Sequence, residues 1–268
     1  MTAPLAELVE HFAAERGQDV TGVSPSRHRA LLAALLTTRP PGPVPAPVTA
    51  ALDDLLAREA GARETVSAAD LARVGDQVPG LTGPLARTSE WQGDITTLVV
   101  DAIVNAANAQ LLGCFVPEHR CIDNVIHAVA GPALRAECAE LMQAQGHPEP
   151  TGHAKITGGY HLPARWVVHT VGPIVPDHQP TIEHASLLAS SYRACLQVAH
   201  DAGAASLAFC GISTGVFGYP VELAAAVALR AVEAWLTEHP ETDLHVVFNT
   251  FSSRDTDAYL TTLAERHR

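Results

Sequence analysis

From about Leu85 onward the chain alternates short β-branched runs with segments of helical period, and that alternation constrains the fold more than any other feature. The runs "TTLVVDAIVNAA", "AKITGGYHL", "RWVVHTVG", "SLAFCGIS" and "LHVVFNTF" read as strands. Between and after them lie "CIDNVIHAVAGPALRAECAELMQAQ", "TIEHASLLASSYRACLQVAHDAG", "PVELAAAVALRAVEAWLTEH" and "SRDTDAYLTTLAERH", with apolar residues at helical spacing. Strands joined through helices return to the same sheet in parallel, so the pattern predicts a three-layer α/β/α domain with a mixed, largely parallel sheet. Such sheets bind ligands at the carboxyl ends of their strands, which directs attention to the loops after "AIVNAAN" and "LAFCGIS".

Residues 1–84 have a different texture and are expected to form an N-terminal helical extension to a domain spanning 85–268. "SPSRHRALLAALLTTR" offers Ser24 as N-cap and Pro25 at the first helical position, followed by Leu31, Leu32, Leu35 and Leu36 at helical spacing. "RPPGPVPAP", Arg39 to Pro47, reads as a non-helical connector. "VTAALDDLLAREAG" reads as a further amphipathic helix stopping at Gly61. The formal net charge of −12 is a poor match for a nucleic acid partner, which needs clustered Lys and Arg. It leaves a small anionic ligand open, because backbone N–H groups at a helix start hold phosphate without lysines. "MTAPLAELVEHFAAERG" carries Glu7 and Glu10 without an unbroken apolar stretch, and no apolar run reaches the length of a membrane span. The expectation is a cytoplasmic protein with no membrane partner. Its five cysteines are then free thiols or metal ligands rather than a disulfide framework.

Three loops carry residue types suited to chemistry. In "GISTGVFGYPVELAAAV" a strand runs into Ser213, Thr214, Gly215, Val216 and Phe217 before a helix, an arrangement suited to phosphate or to an ordinary strand-to-helix turn. In "GDITTLVVDAIVNAANAQLLG", Asp94 precedes a strand as a ligand acceptor or a turn cap, and Asn105-Ala106-Ala107-Asn108 places two amides at a strand end. Small residues there leave room for a ligand, and Asn suits ribose hydroxyls, although a self-capped Asn turn has the same composition. "GCFVPEHRCIDNVIH" brings Cys114, His119 and Cys121 close in sequence, as a metal site, a disulfide pair or plain loop residues.

"GDITTLVVDAIVNAAN", "AKITGGYHLPARWVVHTVGP" and "GISTGVFGYP", in that order, resemble the macrodomain family, which binds ADP-ribose. The resemblance covers about Leu85 to the C-terminus. It implies a macrodomain fold with Asp94 and Ile95 at the adenine end, Phe251 flanking the adenine, and Ser213 to Phe217 around the diphosphate. It places Asn108, Ile122 and Asp123 near the distal ribose. Hydrolytic macrodomains usually carry a glycine run before a "VDxxIH"-like segment. Here "CIDNVIHAVAG" keeps Asp123, Ile126 and His127, while "GCFVPEHRC" replaces the glycines. That replacement, with an N-terminal helical extension, is similar to the zinc-containing subfamily. It implies that Cys114, His119 and Cys121 bind Zn2+ and that the activity removes ADP-ribose from modified proteins.

The donor set agrees with that implication. Three Cys/His ligands with an open fourth position suit a catalytic zinc site. An extended spacing of two turns His119 and Cys121 to the same side, and Pro117 bends the segment before them. No fourth Cys lies nearby; His127 and His153 are the candidates to close the site, with His127 expected instead as a helix histidine hydrogen-bonded in the core. Asp123 reads as a base or orienting group beside the metal, or as a helix N-cap. With Asn108 holding the ribose, the expected reaction is hydrolysis of mono-ADP-ribose from Asp or Glu side chains of a modified protein. The alternatives are a non-catalytic reader of ADP-ribose and an O-acetyl-ADP-ribose deacetylase.

Overall fold

The computed structural model describes residues 3–266. Helices α1 (Ala3–Ala14), α2 (His28–Thr38) and α3 (Ala46–Gly61) form the N-terminal unit. Strand β1 (Val66–Ser67), a short helix α4 (Val74–Gln77), β2 (Ser89–Gln92) and β3 (Leu98–Val99) lead into β4 (Ala102–Ala106). Helices α5 (Ile122–Ala130) and α6 (Pro132–Gln145) follow, then the hairpin β5 (Ala154–Gly158) and β6 (Trp166–Thr170). The chain continues through α7 (Ile182–Asp201), β7 (Ser206–Phe209), α8 (Val221–Glu238), β8 (His245–Thr250) and α9 (Ser253–Arg266).

The main sheet has the order β2-β8-β7-β4-β6-β5, and every neighbouring pair is parallel except β5 with β6. Helices cover both faces, giving the three-layer, mixed and mostly parallel arrangement expected from the alternation. Strand β8 is buried at every position, as a central strand covered on both faces must be.

Several local readings change. "TTLVVDAIVNAA" is two strands: Leu98–Val99 pairs in parallel with Val66–Ser67, and Ala102–Ala106 joins the main sheet. Asp101 marks the break, where its carboxylate accepts from the Ala205 N–H at 2.8 Å and the Ser206 hydroxyl at 3.0 Å. "CIDNVIHAVAGPALRAECAELMQAQ" is two helices, parted at Gly131 with φ +89° and restarted at Pro132. Helix α3 already begins at Ala46, so Pro47 of the connector lies in its first turn, where the missing N–H costs no hydrogen bond. Strand β2, "SEWQ", has no apolar alternation to announce it and exists because β8 supplies its partner.

Two separate cores form among the described residues. Leu8, Val9, Phe12, Ala13, Leu32, Leu35, Leu52 and Leu56 pack among α1, α2 and α3. Ala68, Val74, Val78 and Leu85 belong instead to the large core under the sheet, so the cores part between Leu56 and Ala68.

Candidate functional site

Sheet register sets the first part of the site. Asn105 on β4 pairs with His169 on β6, and both are fully buried. The Asn105 amide nitrogen donates to Asp123 Oδ1 at 2.8 Å and lies 3.2 Å from His169 Nδ1. His169 Nε2 meets the Thr157 hydroxyl at 2.9 Å. Burial holds the His169 ring neutral, with its pKa pulled down to about 3. Asp123 is 5% exposed, at the second position of α5. Burial raises its carboxyl to about 6, against the pull of the Asn105 hydrogen bond and the Arg135 charge. Asn108 Nδ2 donates to the Gly113 carbonyl at 3.1 Å and lies 3.4 Å from Asp123 Oδ2, while Asn108 Oδ1 accepts from the Gln110 N–H. The two amides of "NAAN" therefore address the two oxygens of one buried carboxylate.

The cap of α5 is Cys121, not Asp123: the Cys121 sulfur accepts from the Asn124 N–H at 3.4 Å. Asp123 falls inside the first turn because the cap position is taken two residues earlier, and its carboxylate faces Asn105 instead of the helix end. Cys114 Sγ stands 3.3 Å from His119 Nδ1, and the ligand atoms of Cys114, His119 and Cys121 all lie within 4.8 Å of one another. Both cysteines are free thiols. Burial pushes the Cys121 thiol up to about 11, the Asn124 N–H opposes that, and the neighbouring Cys114 adds to it. Two sulfurs and an imidazole nitrogen brought together in this way form a soft donor set that fits zinc. The Asn124 side chain donates to the His119 carbonyl at 2.7 Å and pins the loop to the helix. Gly113, at φ +81°, precedes the donors, and a Cβ there would fall 3.0 Å from the His127 ring.

His127 departs from expectation. It is buried, but neither ring nitrogen has a hydrogen-bond partner among the described residues; Nε2 lies 3.6 Å from Asp123 Oδ1. Burial, then the neighbouring His169 and Arg135, hold its pKa well below the ordinary histidine value. It groups with Cys138 and His169 behind Asp123 rather than with Cys114, His119 and Cys121. His153 lies elsewhere, at the start of β5, with its carbonyl accepting from the Thr170 hydroxyl.

The other two loops sit at the carboxyl ends of β7 and of the β2–β8 pair. Ser213 is held at φ +65°, and its buried hydroxyl has no partner among the described residues. The Ser213 carbonyl accepts from Tyr219 N–H and the Gly215 carbonyl from Gly218 N–H, which folds the loop back on itself. No protein acceptor takes the backbone N–H groups of Thr214 to Phe217 among the described residues. A second loop supports this one: Val175 N–H donates to the Phe217 carbonyl at 2.7 Å, and the His178 ring donates to the Gly218 carbonyl. Gly172 is required beside them, since a Cβ would lie 2.1 Å from Ser213 Oγ. Val216 is 77% exposed. At the far end, Asp94 Oδ1 caps a short turn by accepting from the Thr96 N–H at 2.9 Å and its hydroxyl at 2.7 Å. Ile95 is buried beneath it, and Phe251, after β8, is 81% exposed. Sequence reasoning left His169 and Arg135 without a role and read Asn105 only as one of two strand-end amides, not as the partner of Asp123. The polar Asn105 and His169 inside apolar strands were the available signal.

The family model "Macro domain" matches residues 104–228. A protein-ADP-ribose hydrolase of Treponema medium is 53% identical over 169 residues, 63% of this chain and 64% of that protein. Among solved structures, the Oceanobacillus iheyensis macrodomain with ADP is 39% identical with a TM-score of 0.59, over 66% of this chain and 90% of that one. The chain belongs to the macrodomain family. The Trypanosoma brucei macrodomain in complex with ADP-ribose is 30% identical with a TM-score of 0.65, over 89% of this chain and 95% of that one. This macrodomain spans 64% of the length of the Treponema relative. The family match begins in β4 and ends in α8, so it contains Asn108, the Cys114–Cys121 loop, Asp123 and the Ser213 loop, while Asp94 and Phe251 lie outside it. No helix of the macrodomain, among the described residues, is long and apolar enough to cross a membrane.

Proposed function

We propose that this macrodomain hydrolyses the bond joining mono-ADP-ribose to Asp or Glu side chains of modified proteins, with zinc held by Cys114, His119 and Cys121. One observation carries the reading: a buried carboxylate poised near neutral pH, Asp123, sits two residues after a converging Cys/His donor set and is gripped by Asn105. A module that only binds ADP-ribose has no need of that carboxylate. The naming of similar proteins as protein-ADP-ribose hydrolases supports the same reading.

In this reading Asp94 and Ile95 take the adenine end with Phe251 beside it, and the N–H groups of Ser213, Thr214, Gly215, Val216 and Phe217 take the diphosphate. Asn108 and Ile122 line the distal ribose and fix its anomeric carbon. Bound zinc would polarise a ligand oxygen or lower the pKa of a water. Asp123, ionised above about pH 6, accepts the proton of the attacking water. The water oxygen bonds to the anomeric carbon, the carbon–oxygen bond to the protein carboxylate breaks, and the leaving carboxylate keeps the electron pair. Because a carboxylate departs readily, orientation supplies most of the rate.

The test compares release of ADP-ribose from a carboxylate-linked mono-ADP-ribosylated protein by wild type, Asp123→Ala and Cys121→Ala, each with and without a strong chelator. Wild type should release it, and both variants and chelated enzyme should be slower by at least about 100-fold. Binding of ADP-ribose without release would make this a reader. Release by a metal-free Cys121→Ala at the wild-type rate would remove zinc from the reaction. Release of acetate from O-acetyl-ADP-ribose in preference to the protein-linked group would move the substrate assignment.

A further inference from the structure

Arg135 is only 7% exposed and stands in the first turns of α6, the end of a helix where a cation is disfavoured. Three contacts account for its position. Its Nη1 donates to the carbonyls of Leu36 at 2.9 Å and Arg39 at 2.7 Å, at the carboxyl end of α2, where a cation is favoured. Its guanidinium carbon lies 4.6 Å from the centre of the Phe115 ring, one residue after Cys114. Its Nη2 lies 3.3 Å from where a Gly113 Cβ would stand.

The carbonyl of Arg39 that Arg135 engages is itself fixed from the other side. The Arg39 guanidinium forms a two-pronged pair with Glu15 at 2.7 and 3.0 Å, donates to the carbonyls of Gly42 and Pro43, and faces the Phe12 ring. A continuous set of contacts thus runs from α1 through Arg39 and Arg135 to Phe115. The metal-donor loop is exposed from Phe115 to Arg120. Asn124 pins its second half, and Phe115 on Arg135 pins its first.

We infer that Arg135 is a positioning residue through which the N-terminal helices set the conformation of the Gly113–Cys121 loop. Its consequence for metal retention rests on the reading of Cys114, His119 and Cys121 as zinc ligands, whereas the coupling itself does not. Lysine cannot replace the guanidinium on the Phe115 ring, because it lacks the planar face; both carbonyls take their bonds from the single Nη1.

Backbone hydrogen exchange on the full-length metal-free chain tests the coupling. Three variants are compared: Arg135→Lys, Phe115→Leu at a half-exposed position that leaves both cores intact, and Arg39→Lys, which touches no loop residue. Each should speed exchange of amides 113–121 by about three- to tenfold, and the two arginine variants should also loosen the end of α2. The inference is overturned if Arg39→Lys and Arg135→Lys loosen only the α2 end while the loop exchanges at the wild-type rate. Zinc loading then reads the consequence. Release to a colorimetric chelator should speed by a similar factor in all three variants, and an unchanged release rate would confine Arg135 to the fold. A chain that takes up no zinc would refute the metal reading while leaving the exchange result to judge the coupling.

Discussion

Burial pushes the Asp123 carboxyl from 3.8 up to about 6, and this one group links stability to chemistry. A carboxyl raised in the folded state favours folding when protonated. Its contribution is full below about pH 4 and is lost as pH rises through 6, a difference on the order of 3 kcal/mol. Metal-free Asp123→Asn should therefore melt above wild type at pH 7.5, with the gap closing towards pH 4, while losing the proposed hydrolysis. An equal gap at both pH values in thermal melts would show that Asp123 is not buried as a charge. In the proposed reaction, with Asp123 as base, kcat/KM should rise with pH through a limb at or below about pH 6, since bound zinc would lower the Asp123 pKa. The Asn105 hydrogen bond lowers that pKa. Asn105→Ala should thus move the acidic limb of the pH–rate profile upward, and an unmoved limb would sever Asn105 from the base. The sequence displayed both asparagines of "NAAN" and pointed to Asn108. It could not show that Asn105 faces Asp123, because the pairing depends on β4 lying in register with β6 and on where α5 begins.

At the scale of elements, one residue of α5 serves two purposes. Cys121 caps the helix and belongs to the Cys114–His119–Cys121 cluster proposed to hold zinc. Cys121→Ser keeps a good cap and loses the thiolate. Its metal-free melting temperature should stay near that of wild type while zinc affinity falls by at least about 100-fold, read by competition with a chelator. Cys121→Ala should lose the affinity and also about 1 kcal/mol of stability. The break between α5 and α6 gives a second test. Gly131 sits at φ +89°, and a Cβ there would approach Leu56 of α3 to 2.7 Å. Gly131→Ala should cost about 1–3 kcal/mol, seen as a lower denaturation midpoint. Helical periodicity ran straight through this position in the sequence, since a single glycine barely alters the apolar spacing.

For the whole molecule, the net charge of −12 surrounds the loop Gly211 to Pro220, proposed to take the diphosphate, which holds no Lys or Arg. Binding there must come from backbone N–H groups, and the molecule's field opposes an anion. Raising salt screens that repulsion. Affinity for ADP-ribose, measured by calorimetry, should hold or strengthen from low to high ionic strength. A steep loss with salt would mean that lysines or arginines elsewhere carry the diphosphate.

What the sequence determined by itself was local or repetitive. The strand–helix alternation set the layers and the mostly parallel sheet, and the loops after "AIVNAAN" and "LAFCGIS" stood where such sheets place ligands. Cys114, His119 and Cys121 are close enough in the chain to be read as one donor set before any folding. Tertiary structure alone decided the rest. It set Asn105 against His169 and Asp123, left the buried His127 ring nitrogens without a hydrogen-bond partner among the described residues, paired β2 with β8, and laid Arg135 between α2 and Phe115. These contacts join residues distant in the chain. Periodicity and turn chemistry report only a residue's neighbours in sequence, whereas sheet register and helix packing choose its neighbours in space.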